Sequence, residues 1–201
     1  MLETKRLTPK SYSKRLQQGA VAVEFGLVIV AFFIVVFGII EIARLMFLFN
    51  TLQEVTRRAA AAAANTDFTN ISRLNQVRQN AIFRSSAGGL VLMQELTDQS
   101  IRIDYLSVSR DPDGTLKMVP IQASSLPTSP AENRRGCLIN PNSASCIRIV
   151  RARVCQSGIS PGCEPMQFQS LVPLLNFSMP LTRATTLAKA QTLGISLNAT
   201  P

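Results

Sequence analysis

Four cysteines, at positions 137, 146, 155 and 163, are the residues of this 201-residue chain best suited to covalent or metal chemistry. A thiolate can serve as a nucleophile or a zinc ligand, but those roles ordinarily recruit histidine or C-x-x-C spacing, and the chain has neither. The lack of histidine removes Ser-His-Asp and Cys-His pairs and every His-containing metal site. A Cys₄ zinc site is the surviving metal alternative, and two disulfides in an oxidising compartment are the simpler account, so neither a metal nor a cofactor is expected. No local pairing of carboxylates stands out either, which leaves an enzymatic reading without a catalytic constellation.

The segment between the second and third cysteines narrows the three connectivities. Ile147 to Val154 alternates apolar and arginine positions as a strand does. Extended at about 3.3 Å per residue, it would hold Cys146 and Cys155 roughly 30 Å apart, against the roughly 6 Å a disulfide spans. The nested pattern therefore fails. Cys137 to Cys146 with Cys155 to Cys163 is preferred, and Cys137 to Cys155 with Cys146 to Cys163 stands second.

These cysteines need an oxidising side of a membrane, and the N-terminus provides the means of reaching one. Sixteen residues from Phe25 to Ile40 carry no charge or strongly polar group, and the apolar run reaches back to Ala20 across Glu24. A helix rising about 1.5 Å per residue takes Ala20 to Ile40 across roughly 30 Å, the thickness of a hydrocarbon core. Five of the 21 basic residues, Lys5, Arg6, Lys10, Lys14 and Arg15, precede it, which predicts a cytoplasmic N-terminus and an exported remainder. That leader also accounts for much of the net charge of +9; the other cations are scattered with few aromatics between them, so no nucleic-acid partner is expected.

An ordinary signal peptide is cut after its apolar run, at small residues, but here Glu41 occupies the third-last place if Ala43 were last. The small residue instead precedes the run: Gly19, then Ala20-Val21-Ala22-Val23, then Glu24-Phe25. This arrangement resembles the type IV prepilin signal. The resemblance implies cleavage between Gly19 and Ala20 by a membrane aspartyl prepilin peptidase, recognition supported by Phe25, and a role for Glu24 in assembly, pairing with the N-terminal ammonium of a neighbouring subunit. A carboxylate near the bilayer needs such a partner, since its cost is about 2.5–3.5 kcal/mol at the centre. An uncleaved signal anchor with Glu24 at the cytoplasmic interface is the alternative.

Beyond the run, Leu45, Leu48, Leu52, Val55, Ala59 and Ala62 recur three and four apart, so the helix is expected to continue to about Ala64 as an amphipathic stem. Glu41 and Arg44 share one face and can pair at the outer membrane interface, as an exposed pair contributing only a few tenths of a kcal/mol. With Gly19, Glu24-Phe25, Gly38, Glu41, Arg44 and the Ala59–Ala64 run, residues 18 to 64 resemble a TadE-like domain. That family comprises minor pilins or pseudopilins of the tight-adherence (Flp) pilus system. The resemblance implies a bacterial inner-membrane protein, single-pass and incorporated in a surface pilus or retained in the membrane. Its partners would be the prepilin peptidase, other pilins and pseudopilins, the pilus assembly machinery and the lipid bilayer. A permanently anchored periplasmic assembly factor or binding module that never enters a filament is the second functional reading.

Three segments are expected: a leader (1–19), a transmembrane and amphipathic helix (20–64) and a periplasmic α+β domain (65–201). Within the last, Thr69 or Asn70 caps a helix with Ile71, Leu74, Val77, Ala81 and Ile82 on its apolar face. Ile101 to Leu106, the Asp111-Pro112-Asp113-Gly114 turn and Leu116 to Met118 read as a hairpin, Phe177 to Leu181 as another short strand, and Ala123 to Arg135 as an exposed loop. The expected fold class is α+β, with the long N-terminal helix packed on a small antiparallel sheet, which is also what pilins resemble.

Overall fold

A computed structural model describes residues 14–90, 93–156, 162–172 and 177–195, with the backbone alone for residues 14–18. The expected α+β architecture is what it contains: a long apolar N-terminal helix and small antiparallel sheets. The chain divides into two compact units, one of Met1–Arg44 with Ser170–Phe177 and one of Leu45–Gln169 with Ser178–Pro201.

Helix α1 runs Lys14–Ala63 and has two regimes of exposure. From Gly19 to Val35 every residue is exposed, and large apolar side chains point outward all round, among them Val23, Phe25, Val28 and Phe32 at 60–65%. A helix that is apolar on every side and covered by none of the other described residues is one suited to lipid. It is also the one helix among the described residues long and apolar enough to cross a membrane. From Leu48 onward a single face is buried: Leu48, Leu52, Val55, Ala59 and Ala63. The last step is four residues, so Ala63 takes the inward place that the sequence spacing assigns to Ala62, which is exposed. At 3.6 residues per turn the buried stripe drifts by a residue over several turns.

That face belongs to the second unit and covers its sheet. After α1, helix α2 spans Ile71–Ala81; the Asn70 side chain accepts from the Arg73 amide at 3.0 Å, and Leu74, Val77 and Ala81 are buried. Ile71, expected on that face, is exposed in the first turn. Strands β1 (Gly89–Leu90) and β2 (Met93–Thr97) form a short antiparallel pair. Strand β3 (Ile101–Arg110) and strand β4 (Leu116–Pro120) make the expected hairpin around Asp111–Gly114. Helix α3 (Pro130–Ile139) comes next, then strands β5 (Ile149–Val154), β6 (Gln167–Gln169), β7 (Ser178–Pro180) and β8 (Thr185–Lys189). The main sheet has the order β4-β3-β5-β8, antiparallel throughout, with Ile103 opposite Ala152 and Tyr105 opposite Val150; β6 and β7 form a separate hairpin.

Small residues set the helix-to-sheet distance. Ala59 and Ala60 lie in one buried cluster with Leu96, Ile101, Ala152, Val154, Phe168 and Leu181. Ala63 and Ala64 continue it into a second cluster with Phe68, Tyr105, Val150 and Leu193. Thr56, buried on the same face, gives its hydroxyl to the Gln53 carbonyl and meets the Thr186 hydroxyl at 2.9 Å, so the polar group is satisfied.

The 123–135 segment is not wholly an exposed loop, because α3 begins at Pro130. Ser129 accepts from the Glu132 amide at 3.1 Å, Pro130 takes the first helical position where its missing N–H costs nothing, and the Glu132 carboxylate accepts from the Thr128 amide at 2.9 Å. The composition of a loop here is the composition of a helix cap. Asn133 then fixes the helix to the start of β5, accepting from the Ile147 amide at 2.8 Å.

Candidate functional site

The residues singled out by the sequence fall into three groups along the chain: the head of α1, the Glu41 region, and the cystine-bearing part of the second unit.

At the head of α1, Gly19 and Ala20 lie within continuous helix and are exposed. A Cβ built on Gly19 would meet nothing within 4 Å, so packing inside this chain does not demand glycine at that position. Glu24 follows one turn after Ala20, exposed and without an ion pair among the described residues, and Phe25 beside it is 64% exposed. A carboxylate on a helix that is otherwise apolar all round is costly in lipid unless a cation comes to it. These four residues present themselves outward, in a form that a second protein could read.

Seventeen residues later the situation inverts. Glu41 is 3% exposed, although it directly follows the apolar run. Its Oε1 accepts the backbone N–H of Leu171 at 2.7 Å and that of Val172 at 3.2 Å, and its Oε2 faces Arg44 Nη1 at 3.4 Å. Helix periodicity sets Glu41 and Arg44 on one face, three residues apart. The pair itself was legible in the sequence, but not its burial: Leu171 and Val172, about 130 positions away, lie against the carboxylate. Two amide donors and a guanidinium satisfy a carboxylate that would otherwise be costly to bury.

The cysteines pair in sequence order, Cys137 with Cys146 and Cys155 with Cys163. The first cystine joins the end of α3 to the residue before Ile147, and the second begins where β5 ends. Strand β5 thus runs between the two bridges, the geometry that excludes the nested pattern. All four sulfurs are consumed, and no cluster of three or more metal-ligating side chains occurs among the described residues.

Elsewhere, the largest shifts in ionisation fall on Glu54 and Tyr105. Glu54, on the water-facing side of α1, has its carboxyl held down at about 2 by side-chain hydrogen bonds first from Arg57 and then from Arg58. Burial of Tyr105 in the second cluster pushes its hydroxyl well above the usual range. Around Tyr105 the Arg78 charge opposes the effect of burial and the Asp67 carboxylate adds to it; Glu54 and Tyr105 both read as structural.

The model of the family described as TadE-like protein matches residues 19–61, which takes in Gly19, Ala20, Glu24, Phe25, Glu41 and Arg44. No curated protein and no solved structure matches the chain.

Proposed function

We propose, from the match of residues 19–61 to the TadE-like family, that the chain belongs to a tight-adherence (Flp) pilus system and acts there as a minor pilin or pseudopilin. The proposal has the chain inserted in a bacterial inner membrane with its N-terminus cytoplasmic, cut by a prepilin peptidase between Gly19 and Ala20, and passed to the assembly machinery. The supporting observation is the head of α1: a glycine, an acid five residues later and an aromatic, all exposed on a helix apolar all round. Cutting there would leave an ammonium on Ala20. Glu24 lies about 6 Å further along the axis at 1.5 Å per residue. Displaced axially by that amount, a neighbouring subunit would bring its own ammonium to this carboxylate, so one ion pair would set subunit registry while the apolar flanks supply contact area.

The tests follow from the exposure of these side chains. Because Gly19 has free space around it, a bulky replacement should leave the fold intact and block processing, giving full-length protein. Glu24→Leu should insert normally and impair pilus assembly. Unchanged piliation with Glu24→Leu would favour the second reading, a permanently anchored periplasmic assembly factor. The covering of Glu41 favours that second reading, since the backbone of residues 171–172 occupies the flank of the helix at Glu41.

A further inference from the structure

The apolar helix is not the chain's only apolar surface at the level where the span ends. Taking Ala20–Ile40 as the span, at about 1.5 Å per residue it fills roughly 30 Å of hydrocarbon, and Glu41 stands at its outer boundary. There the connection between β6 and β7, residues 170–177, belongs to the same compact unit as the helix. Ser170 donates to the Phe177 carbonyl at 3.2 Å and closes the base of this connection. The Leu171 and Val172 amides point into the Glu41 carboxylate. With that backbone turned inward, apolar side chains are left outward: Leu171 is 69% exposed and Phe177 42%. No charged residue occurs between Glu164 and Arg183, a stretch that includes Leu171, Val172, Leu174, Leu175 and Phe177. A soluble loop held in water would not ordinarily be built this way.

We propose that Leu171, Val172 and Phe177 form a second membrane contact, which enters the outer water–lipid interface beside α1 and is held at that depth by Glu41. This inference rests on the reading of α1 as a membrane span. Three observations converge on lipid as the occupant. Leu171 and Val172 are seated on the helix at the end of the apolar run. The exposed side chains are apolar and the surrounding sequence uncharged, as interfacial insertion needs. Glu41 spends one carboxylate oxygen on two backbone amides that would otherwise face the interface unpaired, and Arg44 faces the other oxygen at 3.4 Å. The carboxylate thereby makes this backbone compatible with lipid, and the backbone makes the carboxylate compatible with it.

The chain contains no tryptophan, so single-tryptophan variants of the full-length protein can report depth in phosphatidylcholine–phosphatidylglycerol vesicles containing lipids brominated either near the carbonyl end or near the chain end. Leu171→Trp should be quenched most by the shallow bromine label and shielded from aqueous iodide. Phe32→Trp should be quenched most by the deep label. Adding Glu41→Ala to Leu171→Trp should lower the lipid quenching several-fold and restore access to iodide. Leu171→Trp that is open to iodide and indifferent to brominated lipid, while Phe32→Trp is quenched, would overturn the proposal and leave the anchor reading standing. Phe32→Trp indifferent to both labels would overturn the anchor reading and this proposal with it. Quenching of Leu171→Trp undiminished by Glu41→Ala would overturn the role given to the carboxylate.

Discussion

Replacing Glu41 with alanine should free the 170–172 backbone from α1, and the geometry sets the size of the effect. The carboxylate accepts two amides, one at 2.7 Å and one at the longer 3.2 Å. Hydrogen bonds to a charged group contribute about 1.5–3 kcal/mol each in a favourable setting. Two corrections reduce the sum. A segment released from α1 regains water for its amides, and the Arg44 contact at 3.4 Å is too long to add much. A loss of about 2–3 kcal/mol in the local opening free energy is therefore expected, which raises exchange of the Leu171 and Val172 amides roughly 30- to 150-fold. Glu41→Gln keeps an acceptor oxygen and loses the charge, so its effect should be about 1 kcal/mol, roughly fivefold. Amide hydrogen exchange of the full chain in nanodiscs, resolved to these two residues, measures both. Exchange in Glu41→Ala within about twofold of the parent protein would refute the reasoning and show that other contacts hold these residues.

Three further outcomes follow. Replacing Cys137 and Cys146 together by serine opens a short loop and should cost about 2–3 kcal/mol by the chain-entropy model, read from urea denaturation. Leucine at Ala59, which is fully buried, should cost about 1–3 kcal/mol by overpacking the helix against the sheet, whereas leucine at exposed Ala62 should leave the melting temperature unchanged. For Glu54, the carboxyl is lowered to about 2 in the folded chain from an ordinary 4.5. Its ionised form therefore favours folding above the ordinary value, and that small, salt-screened contribution fades as the pH falls from 4.5 towards 2. Glu54→Gln should flatten that part of the stability–pH curve in low salt.

The parts of this protein that were legible in its sequence are those set by neighbours along the chain. An uninterrupted apolar run long enough to cross a membrane is read from composition alone, Asn70 caps α2 by reaching three residues ahead, and Asp111–Gly114 turns β3 into β4. The order of the cysteines around β5 excludes one pairing by itself. Helix α3 was locally encoded too, in Ser129, Pro130 and Glu132, but the same residue types also build turns, and the cap was hidden by that ambiguity. Strand β8 pairs with β5 across some thirty residues, and its Thr-rich sequence alternates too weakly to announce a strand. The covering of Glu41 was not legible at all. It depends on a contact 130 residues away, made by backbone amides, which every residue type but proline carries.

Processing as proposed would remove residues 1–19, the last of which form the first turns of α1. N-terminal sequencing of the protein recovered from membranes of cells that contain the prepilin peptidase tests it most directly. A mature chain that begins at Ala20 is expected, with full-length protein accumulating when Gly19 is made bulky. A chain that begins only at Met1 or Leu2 in those membranes would contradict the claim.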